Sequence, residues 1–319
     1  EDHEKQVKKI FKKLYDKGDI YKGEYKGLYC TPCESFWTLS QLDENGCCPD
    51  CHREVKEYSE EAYFFKLSNY QERLEKLFEE HPEFVLPESR RNEMINNFLK
   101  PGLEDLCVTR TSFKWGIQVP SDPKHVIYVW LDALTNYLTA LGYTSDDETL
   151  FNKYWPADCQ VVGKDIARFH LIYWPIFLMA LDLPIPKTIV VHNWITMKDG
   201  KMSKSKGNVI YPESLMERYG LDSVKYFLLR EMPTAQDGVF SPESFVERYN
   251  YDLCNDLSNL LNRTVSMVNK YFDGNVPQYK GTSNEVDEEF EEYTLNQICK
   301  FEEKMEQYEI SGALQEIWG

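Results

Sequence analysis

The stretch Lys201-Met202-Ser203-Lys204-Ser205 constrains this chain more than any other feature of its sequence. It lies between Gly200 and Gly207, and an apolar run at residues 189–191 comes shortly before it. We interpret that run as a buried β-strand that leads into a lysine-rich loop. Two ammonium groups three residues apart, with hydroxyls and flanking glycines, suit a loop that folds over a polyphosphate and neutralises developing charge. The alternative is an ordinary solvated lysine-serine turn.

The composition limits the class of protein. With 319 residues, the chain is long enough for two or three domains with their own cores. No apolar run is long enough to cross a bilayer, and the charged first residues do not form a secretory signal. We therefore expect a soluble, cytoplasmic protein that does not contact a membrane. The net charge of −17 argues against non-specific nucleic-acid binding, although a local basic patch could still bind RNA.

Two CxxC pairs about fifteen residues apart favour a four-thiolate zinc knuckle. Each CxxC turn brings two thiolates to one tetrahedral ion, and the odd total of nine cysteines argues against a disulfide framework. Cys47 or His52 could replace one of the ligands, and four buried thiols without metal are the alternative. The predicted ligands are Cys30, Cys33, Cys48 and Cys51.

Three segments, the apolar runs at residues 126–131 and 189–191 and Gln160-Val161-Val162 between them, are predicted to be β-strands. The first two lead into segments with helical patterns. Successive strand–helix units imply a parallel sheet with crossover helices, and ligands bind such sheets beyond the carboxyl ends of the strands.

Several candidate site residues lie at or just after the ends of the segments 126–131 and 160–162. Trp130, Ala133 and Tyr137 could line one pocket, although aromatic core packing is the simpler interpretation. Asp165 is well placed to bind a ribose hydroxyl. Gly163 would allow a base or sugar to come close.

The remaining patterns are helical. Residues 4–17 predict an amphipathic helix that ends near Gly18, and residues 212–219 and 223–232 predict two more. A further helix should begin after Ser241, and residues 295–318 are predicted to form one continuous helix. Polar side chains four residues apart form a ridge on one of the predicted helices. This ridge is either solvated surface or a surface that recognises unstacked RNA bases. The ridge residues are Asn255, Asn259 and Arg263.

Taken together, the motifs resemble those of the methionyl-tRNA synthetase family, over essentially the whole chain. One motif is Tyr128-Val129-Trp130-Leu131-Asp132-Ala133, and a second is Gly163-Lys164-Asp165-Ile166 with Phe169-His170. The third, residues 201–205, matches all five letters of the KMSKS signature of class I aminoacyl-tRNA synthetases. The cysteine knuckle and the helix from residue 255 to 272 add to the resemblance.

The resemblance implies an α/β fold: the second half of a Rossmann-like parallel sheet, a connective insert with a zinc knuckle, and an α-helical anticodon-binding bundle. We expect residues 1–22 to be a helix of the catalytic domain and residues 23–106 to be the insert. Residues 107–232 would form the second half of the catalytic domain, and residues 233–319 a truncated bundle.

The resemblance also implies roles for individual residues. The positions matching the methionine pocket are Trp130, Ala133, Tyr137, Ile166 and His170. The positions matching the nucleotide site are Gly163, Asp165, Ile195, Lys201, Ser203 and Lys204, with Lys201 and Lys204 as the catalytic pair. The positions matching anticodon-reading residues are Asn259 and Arg263. A buried histidine such as His170 is otherwise most often a core residue.

The implied activity is that of a methionine–tRNA ligase, with ATP, methionine and tRNA(Met) as substrates and Mg²⁺ and Zn²⁺ as cofactors. The family's HIGH motif is absent from residues 1–319. We therefore expect a partner in the form of the N-terminal half of the catalytic domain, and we expect the chain alone not to form methionyl-adenylate. The alternatives are a non-catalytic zinc-containing RNA-binding module and a class I ligase for another large apolar amino acid.

Overall fold

The computed structural model describes residues 1–30, 35–37, 42–49, 52–111, 114–202, 207–281 and 284–318. The chain divides into two compact units. The first unit holds residues 1–160 and 166–189, and the second holds residues 161–165 and 190–319.

The first unit contains both helices and antiparallel strands. Its α-helices are α1 (Asp2–Lys17), α2 (Gln71–Glu80), α3 (Glu88–Met94), α4 (Val129–Thr139), α5 (Thr149–Tyr154) and α6 (Trp174–Leu181). Its strands are β1 (Ile20–Cys30), β2 (Ser35–Trp37), β3 (Lys56–Phe65), β4 (Val85–Leu86), β5 (Leu106–Cys107), β6 (Thr109–Arg110), β7 (Gln118–Val119) and β8 (Asp122–Ile127). Short 3-10 or π-helical segments cover Leu67–Tyr70, Pro82–Phe84, Ile95–Leu99 and Phe169–Tyr173.

Helix α1 confirms the amphipathic pattern at the start of the chain. Its apolar residues recur at helical spacing and pack inward. The helix ends at Gly18, whose φ of 83° is left-handed and whose backbone N–H donates to the carbonyl of Tyr15 (3.0 Å). Glycine adopts this conformation without a steric penalty. The buried residues of the apolar face are Val7, Ile10, Phe11 and Leu14.

A four-stranded sheet in the first unit has the order β2-β1-β3-β5. The long β1–β3 pair is antiparallel, with Ile20 opposite Phe65 and Tyr29 opposite Lys56. β2 and β5 pair antiparallel at the two edges. β1 ends at Cys30, and β3 leads back toward α2.

Residues 126–131 do not form the single strand that we predicted. β8 ends at Ile127 and α4 begins at Val129, so Trp130 lies in a helix. The apolar run combines the end of a strand with the first turn of a helix, and apolarity alone does not separate the two. β8 also pairs antiparallel with β6 and β7, so it does not belong to a parallel sheet. The core face of α4 consists of Leu131, Leu134, Thr135 and Leu138.

The other two predicted strands are confirmed. They are β9 (Cys159–Gly163) and β10 (Thr188–His192), which form a three-stranded sheet with β4 in the order β4-β10-β9. Residues 188–191 of β10 are all buried, as expected for a strand with both faces covered. Both strands begin in the first unit and end in the second.

The second unit continues with a small mixed sheet and helices. Its strands are β11 (Ile195–Met197), β12 (Gly200–Lys201) and β13 (Gly238–Phe240), in the order β12-β11-β13. β11 pairs antiparallel with β12 and parallel with β13. The helices are α7 (Pro212–Tyr219), α8 (Leu221–Glu231), α9 (Pro242–Arg248), α10 (Asn259–Phe272), α11 (Glu285–Glu306) and α12 (Ile310–Trp318), with a π-helical segment at Tyr249–Ser258. The core beside the sheet consists of Val224, Phe227, Phe240 and Phe245.

Helices α7, α8 and α9 lie close to where the sequence placed them. Ser241 caps α9, because its hydroxyl accepts a hydrogen bond from the backbone N–H of Ser244 (3.0 Å). The prediction of one continuous helix over residues 295–318 is wrong. α11 ends at Glu306 and α12 begins at Ile310, because Tyr308 adopts a left-handed φ of 59° that interrupts the helical hydrogen bonds. No helix among the described residues has the length and apolarity that crossing a membrane requires.

Candidate functional site

One face of α4 carries three of the side chains predicted to line an amino-acid pocket. Trp130, Ala133 and Tyr137 are three and four residues apart, so they lie in one row along the helix. The adjacent face of the helix provides the core contacts. Ala133 and Tyr137 are exposed, and Tyr137 keeps 38% of its surface accessible. This row is therefore a surface that a ligand could reach.

The π-helical segment Phe169–Tyr173 contributes a second wall. The rings of Trp130 and Phe169 stack with 3.5 Å between their centroids and 12° between their planes. The hydroxyl of Tyr137 lies 2.9 Å from Nε2 of His170, and the two rings meet edge to face. π-Helical turns are frequent at functional sites. The site is thus a set of aromatic rings with one hydroxyl–imidazole pair.

The protonation state of His170 follows from its two hydrogen bonds. Its Nδ1 lies 2.9 Å from the carbonyl oxygen of Ile166, which can only accept, so Nδ1 carries the hydrogen. Nε2 then accepts the hydroxyl hydrogen of Tyr137. Burial lowers the pKa of His170 and raises the pKa of Tyr137, so both side chains are neutral near pH 7. Ile166 joins the site through its backbone.

We expect acid to destabilise this pair. The pKa of His170 in the folded protein lies below the ordinary value of about 6.5, so the unfolded chain takes up the proton first as the pH falls. The contribution of neutral His170 is complete above about pH 6.5 and is lost below it. A melting series from pH 7.5 to 5.5 should therefore show a steeper decline for the parent than for His170→Gln. Equal slopes for parent and His170→Gln would contradict the assignment.

The predicted ribose-binding residues lie in the second unit, beside an indole. The Nε1–H of Trp194 donates to Oδ1 of the exposed Asp165 at 2.6 Å. A Cβ atom at Gly163 would lie 3.4 Å from the same oxygen and 3.7 Å from Cε1 of His192, so glycine keeps the space beside Asp165 open. Ile195 follows Trp194 at the start of β11 and is 39% exposed. The structure therefore links Gly163, Asp165 and Ile195 through Trp194.

Only the base of the lysine-rich loop is described. Lys201 lies in β12, where its backbone pairs with Thr196, whereas Ser203 and Lys204 lie outside the described residues. The side-chain amide of Asn208 donates to both carboxylate oxygens of Asp199, each at 3.2 Å. These bonds join the chain just before the loop to the chain just after it.

Two of the four predicted zinc ligands lie in the described part of the chain. Cys30 is the last residue of β1, Cys48 directly follows the isolated bridge between Cys47 and Glu54, and both are fully buried. Cys33 and Cys51 lie outside the described residues. Buried thiols at the end of a hairpin are chemically suited to a tetrahedral zinc site.

The two alternative ligands make other contacts. The thiol of Cys47 is only partly buried and lies 3.8 Å from the carbonyl oxygen of Asn45. His52 holds the carboxylate of Asp43 at 2.9 Å, and the hydrogen bond from His52 is the main cause that lowers the pKa of Asp43. Cys48 is the more deeply buried of the two adjacent thiols, and it stays the predicted ligand.

A zinc titration tests this choice. We expect one zinc per chain, and we expect Cys48→Ser to weaken zinc binding more than Cys47→Ser, because only Cys48 restores the CxxC spacing and is fully buried. Metal analysis with a competing chelator measures both variants against the parent. Cys254→Ser, at an exposed thiol, should leave zinc content unchanged. A larger loss with Cys47→Ser would mean that the ligand was misassigned.

A cluster of ionisable groups links β1 and β3 to β8. Among the described residues, Glu61, Asp122 and His125 lie close enough together to hold a metal ion. Two ammonium groups already occupy the carboxylates: Lys22 lies 2.8 Å from Asp122 and 2.9 Å from Glu61, and Lys124 also contacts Glu61. Hydrogen bonds from Lys124, Lys22 and His125 lower the pKa of Glu61 to about 2. The chemistry is that of an ion-pair network rather than a metal centre.

The predicted anticodon residues are exposed. Asn259 begins α10, and Arg263 lies one turn further along the same helix. Asn255 precedes them in the π-helical segment. The three side chains are therefore accessible at a helix surface, and their exposure alone does not identify a ligand.

Comparison with known proteins assigns this chain to a family. The profile described as "tRNA synthetases class I (M)" matches residues 1–60 and 54–265, which together make up most of the chain. The α/β architecture with its parallel strand pairing is accordingly a class I aminoacyl-tRNA synthetase fold. Within that class, the chain belongs to the family tRNA synthetases class I (M).

Individual relatives agree with this assignment. The methionine–tRNA ligase of Oceanobacillus iheyensis is 56% identical over 328 aligned residues, which cover 100% of this chain and 49% of that protein. The ligase of Caldanaerobacter subterraneus is 59% identical and is also covered to 49%. A structure of Mycobacterium tuberculosis methionyl-tRNA synthetase bound by methionyl-adenylate superposes with a TM-score of 0.89 at 42% identity. It matches 99% of this chain and 63% of that one. The chain thus spans about half the length of the curated relatives it matches.

Two residues of these sites receive no individual role from the sequence. Phe169 is recognisable only as part of a motif, and its stacking on Trp130 depends on a contact between residues 39 positions apart. Trp194 belongs to an apolar segment of the sequence, yet its indole bonds Asp165. An aromatic residue directly before Ile195 is the only sequence signal for Trp194.

Proposed function

We propose that the protein activates methionine with ATP and transfers the methionyl group to the 3′ end of tRNA(Met). The observation that carries this proposal is the aromatic site in which Trp130 stacks on Phe169 and Tyr137 bonds neutral His170. Relatives 56–59% identical to the chain that are named methionine–tRNA ligases support it. As an enzyme, the protein would act as an aminoacyl-tRNA ligase in the cytoplasm.

The aromatic site suits a methionine side chain. A thioether is apolar and polarizable, and sulfur makes favourable contacts with aromatic rings. The hydroxyl–imidazole pair adds one polar contact that a purely apolar side chain could not use. The pocket residues in this proposal are Trp130, Ala133, Tyr137, Ile166 and His170.

The nucleotide would bind at the second set of residues. Asp165 would accept hydrogen bonds from ribose hydroxyls, Gly163 would let the sugar approach, and Ile195 would contact the adenosine. The methionine carboxylate attacks the α-phosphate, the bond from the α-phosphorus to the bridging oxygen breaks, and pyrophosphate leaves. Mg²⁺ would supply charge neutralisation on the phosphates when bound. The loop residues proposed to hold the phosphates are Lys201, Ser203 and Lys204.

The rest of the chain would organise these sites. We propose that residues 23–106 form a connective insert whose zinc, held by the four cysteines, stabilises a segment with little apolar mass. Residues 1–22 and 107–232 would belong to the catalytic domain, completed by an N-terminal half that carries the family's other phosphate-binding motif. Residues 233–319 would belong to the helical bundle that contacts the anticodon.

Amino-acid-dependent exchange of pyrophosphate with ATP tests the proposed activity. A preparation that contains the complete catalytic domain should support exchange with methionine at least tenfold better than with leucine or isoleucine, on the order of what one mismatched apolar side chain costs. Exchange driven better by another amino acid would identify a different ligase. The absence of exchange with every amino acid, combined with retained RNA binding, would favour a non-catalytic RNA-binding module.

We expect Asn259→Ala and Arg263→Ala to impair aminoacylation without impairing adenylate formation. Each substitution would remove hydrogen bonds to a base, worth about 1–3 kcal/mol. Aminoacylation of tRNA(Met) and pyrophosphate exchange should be measured on the same preparations. Asn269→Ala, at an exposed position further along α10, should behave like the parent. A parallel loss in both reactions would indicate that Asn259 and Arg263 act structurally.

A further inference from the structure

The indole of Trp194 makes an unusually close contact with the proposed ribose-binding carboxylate. Trp194 lies between β10 and β11, and its Nε1 is 2.6 Å from Oδ1 of Asp165. The indole N–H can only donate, and a donor facing a carboxylate forms a charge-assisted hydrogen bond. Asp165 itself is exposed just after the end of β9, so the indole bonds a carboxylate that a ligand can reach.

Trp194 is held in place by three independent contacts. Its backbone N–H donates to Oδ1 of Asp237 (3.0 Å), and its carbonyl accepts from the N–H of Gly238 (2.9 Å). The ammonium of Lys164 lies 3.8 Å from the centroid of the indole ring, within the range of a cation–π contact. The same ammonium bonds both carboxylate oxygens of Asp237, at 2.5 and 2.7 Å. The ring is thereby fixed at its backbone and on its face.

These contacts close a ring of four residues. Lys164 bonds Asp237, Asp237 holds the backbone of Trp194, and the Trp194 indole bonds Asp165, which follows Lys164 in the chain. A carboxylate offers about four acceptor positions, so one hydrogen bond from an indole does not exhaust them. The arrangement orients the Asp165 carboxylate, and Gly163 keeps the adjacent space open.

We propose that Trp194 is a positioning residue that fixes the Asp165 carboxylate for the ribose hydroxyls of the nucleotide, with the Lys164–Asp237 pair holding the indole. The inference rests on the proposed ribose role of Asp165. Without the indole N–H, the carboxylate would rotate among more orientations, and part of its hydrogen bonding to the sugar would be lost. The phosphates and the amino acid would still be bound as before.

The decisive measurement is discrimination between ATP and its 2′-deoxy and 3′-deoxy analogues. In a preparation that contains the complete catalytic domain, Trp194→Phe keeps the aromatic face over Lys164 and removes only the donor. We expect the preference for ATP over the more weakly used analogue to fall by about tenfold, the size of one hydrogen bond to a charged group, with methionine affinity unchanged. Lys164→Met should shift the ratio in the same direction and serves as a second variant if Trp194→Phe does not fold. An unchanged ratio in both variants would overturn the proposal.

Two further variants separate this inference from the proposed function. Asp165→Ala should abolish the discrimination, and adding Trp194→Phe to it should then have no further effect on the ratio. If Asp165→Ala keeps full discrimination, the ribose role of Asp165 is wrong. If Asp165→Ala loses it while Trp194→Phe and Lys164→Met do not, only the positioning role is wrong. Trp155→Phe is the matched control, because it also removes an indole hydrogen bond, to the carbonyl of Pro184 (2.9 Å), and should leave the ratio unchanged.

Discussion

Lys204→Ala is expected to slow methionyl-adenylate formation by about 10²–10³-fold while changing ATP affinity little. In the proposed mechanism, negative charge accumulates on the departing pyrophosphate as the bond to the α-phosphorus breaks. An ammonium that meets this charge only in the transition state lowers the barrier without tightening ground-state binding. Lys204 lies outside the described residues, so the prediction rests on its position in the five-residue motif between Gly200 and Gly207.

The rate of a single turnover and the affinity for ATP should be measured separately, in a preparation that contains the complete catalytic domain. Lys280→Ala removes the same charge from an exposed position in the second unit and should leave both quantities unchanged. Lys204→Arg keeps the charge but not the shape of the ammonium, and should recover only part of the rate. An equal loss of rate and of ATP affinity would show that Lys204 acts by binding ATP rather than by stabilising the transition state.

The second large effect is a loss of methionine affinity when the aromatic site is changed. Trp130→Ala and Tyr137→Ala should each weaken methionine binding by about 1–3 kcal/mol, the usual cost of an imperfect fit in an apolar pocket. Trp130→Ala would remove the indole surface and the stacking that orients Phe169, whose ring centroid is 3.5 Å away. Tyr137→Ala would leave the buried His170 without its hydroxyl partner. Titration calorimetry with methionine measures both variants against the parent.

Two controls separate pocket residues from core residues. Tyr154→Ala removes an exposed tyrosine from α5, and it should not affect methionine binding. Tyr137→Phe keeps the ring and removes the hydroxyl, so it should lose less affinity than Tyr137→Ala. Thermal unfolding confirms that each variant is folded. Folded Trp130→Ala and Tyr137→Ala proteins that bind methionine like the parent would mean that these residues only pack the first unit.

The local pattern of residues in the sequence was sufficient to predict several helices and strands. The spacing of apolar residues in 4–17 predicts α1 because a 3.6-residue period places them on one face, and Gly18 ends the helix because it tolerates a positive φ. The continuous apolar run at 189–191 predicts β10 because a strand covered on both faces needs no polar alternation. The prediction of β9 from residues 160–162 also holds, although that strand alternates between buried and exposed residues. The five-letter loop motif pointed to the family before any fold was known.

The local pattern did not predict the boundary where two secondary-structure elements meet. It also did not predict contacts between residues that are distant in the chain. Residues 126–131 look like one strand, but β8 stops at Ile127 because packing of the next residues against the core favours the helix α4. Residues 295–318 look like one helix, but the chain turns at Tyr308. The spacing of apolar residues does not indicate where one element ends and the next begins, because the spacing is similar on both sides of the boundary.

The sequence by itself determined the family, the candidate residues and the positions of several helices and strands, because motifs and periodicities are properties of neighbours in the chain. Only the tertiary structure decided what those residues do to one another. It stacks Trp130 on Phe169, sets the tautomer of His170 through Ile166 and Tyr137, and directs the Trp194 indole at Asp165. Each of these interactions depends on an orientation or on burial that folding creates, so no spacing in the chain encodes it.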